Sequence, residues 1–391
     1  LIPSRFFSLY WGAAIVCLPL FFRLQPGVPI RFGQDMLFLA LIYLSIVLFG
    51  FGDQIKKYTK IVIPLAVLSV YSFINQFNQV NYTVLYQWFC FNGALLLICQ
   101  LLSHKLRRGI FINAMAIACL IQSIWLILNS LGIDPYQIFW DIVAPGKYVK
   151  IHIGDGKITS YVGHETDIVG SLHNRTLSGA VICGTIATLF RPKWFFAIPI
   201  AAYAVILTDS SMIYLSTFAA ILVYFTIKFK KNIKYVLINL AVQAIIFFNV
   251  IGVYGPKFLQ DSGRFRVWEN TLVWLSGKDI MLGNGLGYFS QNYNRYFEAH
   301  KIFRQAHNEY LEYYIAFGLV GIIISAFLIS PLFSARKSII IVPCLAALLV
   351  DSFGSFPFHI AATALIGIIC YCLTVTDQGE IHGIYSDTKG T

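Results

Sequence analysis

Charge is what this 391-residue chain has least of: Asp, Glu, Lys and Arg together make up only 12% of it. A soluble chain carries about 25%, so an ordinary water-facing surface is excluded. No segment shows the ~10-residue alternation of apolar and polar positions that a membrane barrel requires. Internal repeats and low-complexity tracts are also missing. The eight cysteines (Cys17, Cys90, Cys99, Cys119, Cys183, Cys344, Cys370 and Cys372) all fall in apolar runs. Long polar loops therefore hold none, which argues against a disulfide framework or a zinc site. No carboxylate pair has metal-ligand spacing, and the first apolar run ends without the small-residue site of a cleavable signal peptide.

What is there is apolar: 58% of the residues are hydrophobic, in long runs such as Met36 to Gly50, Val84 to Leu102, Ile110 to Leu131 and Ile233 to Val253. Each approaches the roughly 20 residues that carry a helix through about 30 Å of hydrocarbon. The pattern predicts an all-α, polytopic transmembrane protein, one integral membrane domain over 1–391. Its twelve spans are expected near 7–22, 36–51, 61–75, 82–102, 108–131, 168–190, 193–208, 210–228, 233–253, 309–333, 338–353 and 357–374.

The net charge of +11 could indicate nucleic acid, but the cations sit in short clusters between apolar runs. Lys56, Lys57 and Lys60 share one loop, and Lys105, Arg107 and Arg108 the loop two spans later. Arg191 with Lys193, Lys228 to Lys234, and Arg336 with Lys337 follow at every second loop. The short loops between them, at 76–81, 208–210 and 353–357, have no Lys or Arg. This is the positive-inside pattern. It predicts a bilayer as the partner in place of nucleic acid, and both termini in the cytoplasm.

Two longer segments fall on the outer side, 132–167 and 254–308. The second is net basic, with Lys257, Arg264, Arg266, Lys278, Arg295, Lys301 and Arg304 against Asp261, Glu269, Asp279 and Glu298. Its many Trp, Tyr and Phe residues predict partly helical structure lying at the interface, where such rings settle.

Chemistry-bearing residues gather in those outer segments. Gly263 to Gly287 starts as an amphipathic helix, with Phe265, Trp268, Leu272 and Leu275 on one side, and ends in the cluster Gly283, Gly285, Gly287. The bland alternative is a surface helix and a turn. No strand precedes these glycines, so they are not a nucleotide fingerprint. Ala306-His307-Asn308-Glu309-Tyr310 opens span ten. An imidazole there can be neutral near pH 7 and accept a proton from a hydroxyl. Glu309 and Glu312 lie within one turn and are expected to orient it, although a polar helix cap would read the same. Asn174 and Arg175 stand at the entrance of span six, where an arginine either serves a wet cavity or snorkels. Thr208-Asp209-Ser210-Ser211 is a tight turn in which Asp209 can cap the next helix, and Ser352 to His359, SFGSFPFH, is another turn.

Taken in order, these segments resemble the O-antigen ligase and polymerase superfamily. Gly170, Asn174 and Gly179 resemble its G-x-x-x-N-x-x-x-x-G span entrance. Gly263, Arg264 and Trp268, then Gly283, Gly285, Gly287 and Phe289, resemble its outer loop. Ala306 to Leu311, followed by Gly318-Leu319-Val320-Gly321, resembles its A-H-N-x-Y-L and G-L-x-G pair. SFGSFPFH is similar to its late phenylalanine-proline turn. One departure is Ser211, where the family often has arginine after T-x-S; Arg175 or Arg266 would then stand in.

The resemblance implies a metal-independent glycosyltransferase without a cofactor, in the bacterial inner membrane, its active site facing the periplasm. The donor would be an undecaprenyl-diphosphate-linked glycan. The acceptor would be the lipid A core in the ligase reading, or a second lipid-linked glycan in the polymerase reading. Arg264, with Arg266 and Arg175, would bind the diphosphate, since a guanidinium fork grips phosphate bidentately and stays protonated. His307 would be the base, supported by Asn308, Glu309, Asn174, Asp209 and Ser211. A transporter or flippase of lipid-linked sugars would instead place ionisable groups deep in its spans and show paired repeat halves.

Overall fold

The structure, a computed structural model of the chain, describes residues 4–21, 30–76, 82–133, 175–229, 264–275, 280–296, 306–334, 338–355 and 357–376. It also describes three short strands between 152 and 167 and single residues at 135, 234, 237, 238 and 241. The helices are α1 Ser4–Cys17, α2 Ile30–Phe49, α3 Thr59–Gln76, α4 Tyr82–Ser103, α5 Arg108–Ser130, α6 Arg175–Thr185, α7 Ile198–Leu207, α8 Ser211–Lys228, α9 Arg264–Leu275, α10 Tyr288–Tyr296, α11 Glu309–Ser334, α12 Ile341–Asp351 and α13 Ala361–Thr376.

The framework is helical, and helices lie on every expected span except 233–253, most of which is outside the described residues. Among the described residues, five stretches are long and apolar enough to cross a bilayer: Asp53–Ile74, Leu85–Ser103, Arg108–Ser130, Ser211–Lys228 and Glu309–Ala326. The other apolar helices are shorter. The 11 residues of α12 reach only about 17 Å at the helical rise, so its length alone does not make a span. Side chains such as Val47, Val70, Ile74, Phe196 and Ile323 are each more than half exposed on outward faces. Large apolar groups in that position are costly in water and at home against acyl chains. The helices and these faces define a multi-pass membrane protein.

Helix α13 forms the centre, with nearly all its residues buried. Its sequence, AATALIGIICYCLTVT, is apolar on every side, which suits a helix with neighbours all round. It packs on α4, α6 and α12, while α12 runs along α8. One boundary moves: span twelve was expected from 357, but α13 begins at Ala361. Pro357 to His359 form a separate 3-10 turn, because proline has no N–H to continue a helix ladder.

Residues in and beside the basic loops meet at one end of the bundle. There the backbone N–H of Arg107 donates to Ser8 Oγ at 3.0 Å, that of Gly52 to Ser103 Oγ at 2.9 Å, and Arg108 bonds Ser338. The loops carrying basic clusters are therefore neighbours. The turn after α12 meets α9, α8 and the start of α11 at the other end of α12.

The segment 132–167 adds something the all-helical expectation lacks. β1 His152–Gly154, β2 Lys157–Ser160 and β3 His164–Asp167 form an antiparallel sheet in that order. Ile153 faces Ile158, and Lys157 faces Asp167. Asp155-Gly156, between the first two strands, is a strong short-range hairpin signal.

Helix α11 is broken at Gly318, which has φ 59° and ψ −157°. The glycine turn fills the break. The N–H of Asn284 donates to Ile315 O at 2.8 Å and that of Gly285 to Ala316 O at 2.9 Å. In return, the N–H of Leu319 donates to Ile280 O at 3.0 Å. A freed backbone in an apolar protein must be satisfied by neighbouring protein, and only glycines permit this approach. A Cβ on Gly283 (φ 76°) would lie 2.5 Å from Gly318 N, and one on Gly318 would lie 2.6 Å from Gly283 N. Gly283→Ala and Gly318→Ala are each expected to lose at least about 1–3 kcal/mol from backbone strain alone, seen as a lower melting temperature in detergent. Gly109→Ala, where a Cβ meets nothing within 4 Å, is the control and leaves it unchanged.

Candidate functional site

Helix α9 is amphipathic, but the inward face is not the one the sequence suggests. Val267 and Thr271 are buried and Arg264 and Trp268 half-buried, whereas Phe265, Leu272 and Val273 are 65%, 54% and 66% exposed. Trp268 thus parts company with Phe265 and Leu272. Its Nε1–H donates to Ala306 O at 2.7 Å. Val267 and Trp268 instead pack with Tyr288, Phe289, Tyr293, Ala306 and Ile315, so the inward face of α9 is set by α10 and the start of α11, and Phe265, Leu272 and Val273 are left outward.

Arg264 Nη1 donates to Gly354 O at 2.6 Å, joining α9 to the turn after α12. That turn also touches α8, since a Cβ on Gly354 would strike Met212. Met212 follows the turn of Asp209 and Ser211. Asp209 is exposed in the left-handed region, φ 46°, and Ser211 is half-buried. Gly179 on α6 lets that helix approach Thr208 and Ile213, to which a Cβ there would come within 2.9 Å.

The start of α11 is tied down by several hydrogen bonds. Asn308 Oδ1 accepts the N–H of Leu311 at 3.0 Å, as an N-cap does. His307 just before it has φ 54°, an uncommon conformation for a side chain of its size. Glu309 is 1% exposed; its N–H donates to Ser352 O at 2.9 Å. Its Oε1 accepts the N–H groups of Phe358 at 2.8 Å and His359 at 3.2 Å. Glu312 Oε1 accepts the N–H of Ala306 at 2.5 Å.

Glu309 and Glu312 were expected to orient His307. They hold another histidine. His359 Nδ1 lies 2.7 Å from Glu309 Oε2, and its Nε2 lies 3.1 Å from Glu312 Oε2. Burial would lower the imidazole pKa, but the charges of Glu309 and then Glu312 outweigh it and raise it well above the usual histidine range. The pairing lines one wall of a cavity of about 30 Å³, beside Gln87, Tyr313 and the glycine turn. Such a space fits about two waters.

Arg264 and the 306–309 segment that carries His307 are thus brought together at one end, with Asp209 and Ser211 nearby through Met212. Arg266 is exposed on α9. Asn174 and the Arg175 side chain lie outside the described residues. Sequence reasoning missed His359 as a partner, and it missed Asp351. Asp351 is fully buried with neither oxygen hydrogen-bonded, within electrostatic reach of Glu309 and Arg264. A lone Asp at a helix end gives no signal of that kind.

A membrane protein with arginine, histidine and carboxylates clustered at one end of its bundle is the class this geometry defines. The family model described as Wzy_C, O-antigen ligase, matches residues 196–326. That match supports the O-antigen ligase superfamily, as the motifs imply, on a stretch holding Arg264, the glycine turn, His307 and Gly318. The motifs at 170–179 and 352–359 lie outside it. No curated protein matches the chain.

Proposed function

We propose that the chain is an inverting glycosyltransferase of the bacterial inner membrane, with twelve spans, both termini cytoplasmic and its site facing the periplasm. It moves a glycan from an undecaprenyl-diphosphate donor to a sugar hydroxyl, in ligase fashion on the lipid A core. The observation that carries this reading is the convergence of Arg264, the 306–309 segment and the 352–359 turn at the end of the bundle away from the basic loops. The match to the O-antigen ligase model covers the first two.

In this mechanism negative charge develops on the diphosphate oxygen as the glycosidic bond breaks. Arg264 faces it with a planar, permanently charged fork. His307 takes the proton of the acceptor hydroxyl, which attacks the anomeric carbon directly and inverts it. The outward apolar face of α9 rests at the headgroup level, where the donor's lipid lies.

The test is purified protein in bilayer discs with a defined lipid-diphosphate glycan and two competing acceptors, lipid A core and a second lipid-linked glycan. The expected product, identified by mass, is glycosylated core. Elongated lipid-linked glycan would make the chain a polymerase of the same superfamily. No transfer to either acceptor would contradict the reading, and movement of intact donor across the membrane would replace it with a flippase.

A further inference from the structure

Two carboxylates on one turn of α11 enclose the imidazole of His359; that of Glu312 also holds the backbone of Ala306, next to His307, and that of Glu309 holds the backbone of Phe358 and His359. Glu312 uses one oxygen for the N–H of Ala306 and the other for His359 Nε2. Glu309 uses one oxygen for the N–H groups of Phe358 and His359 and the other for His359 Nδ1. His307 lies between Ala306, fixed by Glu312, and Asn308, which caps α11. Its left-handed backbone costs about 1–2 kcal/mol, and the contacts of Ala306 and Asn308 brace it from both sides.

We infer that His359 is a positioning residue. Its protonated ring ties Glu309 and Glu312 to the 357–359 turn, and through Glu312 and Ala306 it fixes the conformation of His307. This rests on the proposed role of His307 as base. Without a cation at position 359, two carboxylates within one turn, one almost fully buried, repel each other. Glu312 then turns to water and releases Ala306.

Among the described residues, the groups facing His359 are Glu309, Glu312 and the Tyr313 ring from α11, the last at 6.4 Å between centroids, and Gln87 across the cavity from α4. Beyond them, Asp351 lies within electrostatic reach of Glu309 and Arg264. His359 lies outside the helix Ala361–Thr376, and its folded pKa is raised. A raised histidine pKa means the clasp is complete below about 6.5. It stays closed at neutral pH and is lost as pH climbs through the folded value. Transfer therefore has an alkaline limb from His359, which must be charged.

The experiment uses the full chain in bilayer discs and reads amide hydrogen exchange and the pH–rate profile of transfer. In His359→Gln, exchange at Ala306 and His307 is expected to quicken by about tenfold or more, the size of one lost charge-assisted hydrogen bond. Exchange in α5 and α13 stays as in wild type, which shows the variant is folded. Unchanged exchange at Ala306 and His307 overturns the inference, whether or not the chain transfers glycan, so its failure is separable from that of the glycosyltransferase reading. In Glu312→Gln, one anion fewer holds the proton, so the alkaline limb moves to lower pH. An alkaline limb that does not move in that variant also overturns it.

Discussion

Replacing His307 by alanine is expected to reduce glycan transfer by about 10²–10⁴-fold, the usual contribution of a positioned general base. Insertion and melting temperature should stay near wild type. The backbone complicates a single substitution here, because φ is 54° at this position. Asparagine tolerates that region better than most residues, so His307→Asn removes the base while keeping the turn. Both variants are expected to fail alike at transfer. If His307→Asn transfers at the wild-type rate, an imidazole is not the base, and the geometry around it serves only to cap α11. Measuring transfer beside exchange at Ala306 separates loss of the base from loss of the turn.

Arg264→Lys carries the second large expected effect. The substitution keeps the positive charge, so a purely Coulombic role would survive it. A fork that grips diphosphate and also donates to Gly354 O at 2.6 Å would not, since an ammonium is a point charge on a flexible stem. The expected loss is about 10²–10³-fold in turnover, comparable to removing one preorganised donor from an oxyanion site. Arg266→Lys, on an exposed position of the same helix, is expected to lose much less. Equal losses in the two variants would mean the diphosphate is held by the general field of α9. Full activity in Arg264→Lys would move the diphosphate elsewhere.

The sequence carried the membrane framework because lipid imposes a simple rule: runs of apolar residues near helix-spanning length must be helices. The loops that carry basic clusters pack together in the fold, through Ser8 with Arg107 and Gly52 with Ser103. The glycines were legible as glycines but not as a pair. Gly283 and Gly318 are thirty-five positions apart, and only the packed chain shows that each backbone fills the space a Cβ on the other would need. The same holds for the carboxylates. Spacing alone placed Glu309 and Glu312 beside His307, since neighbours on one helix turn are the default reading. Their partner proved to be His359, brought in by a turn that follows a later helix. Asp155-Gly156 was a hairpin signal in plain view, hidden by the expectation that a membrane protein's loop has no strands of its own.

Everything functional depends on a guanidinium and an imidazole working on the same lipid diphosphate. The direct measurement is a structure of the chain in a bilayer disc with a non-transferable lipid-diphosphate glycan bound. The account predicts the diphosphate within hydrogen-bond distance of Arg264, with the first sugar's anomeric carbon presented toward His307 on the side of the bundle opposite Arg107 and Arg108. A diphosphate bound among those basic loops, or more than a sugar's length from His307, would contradict it.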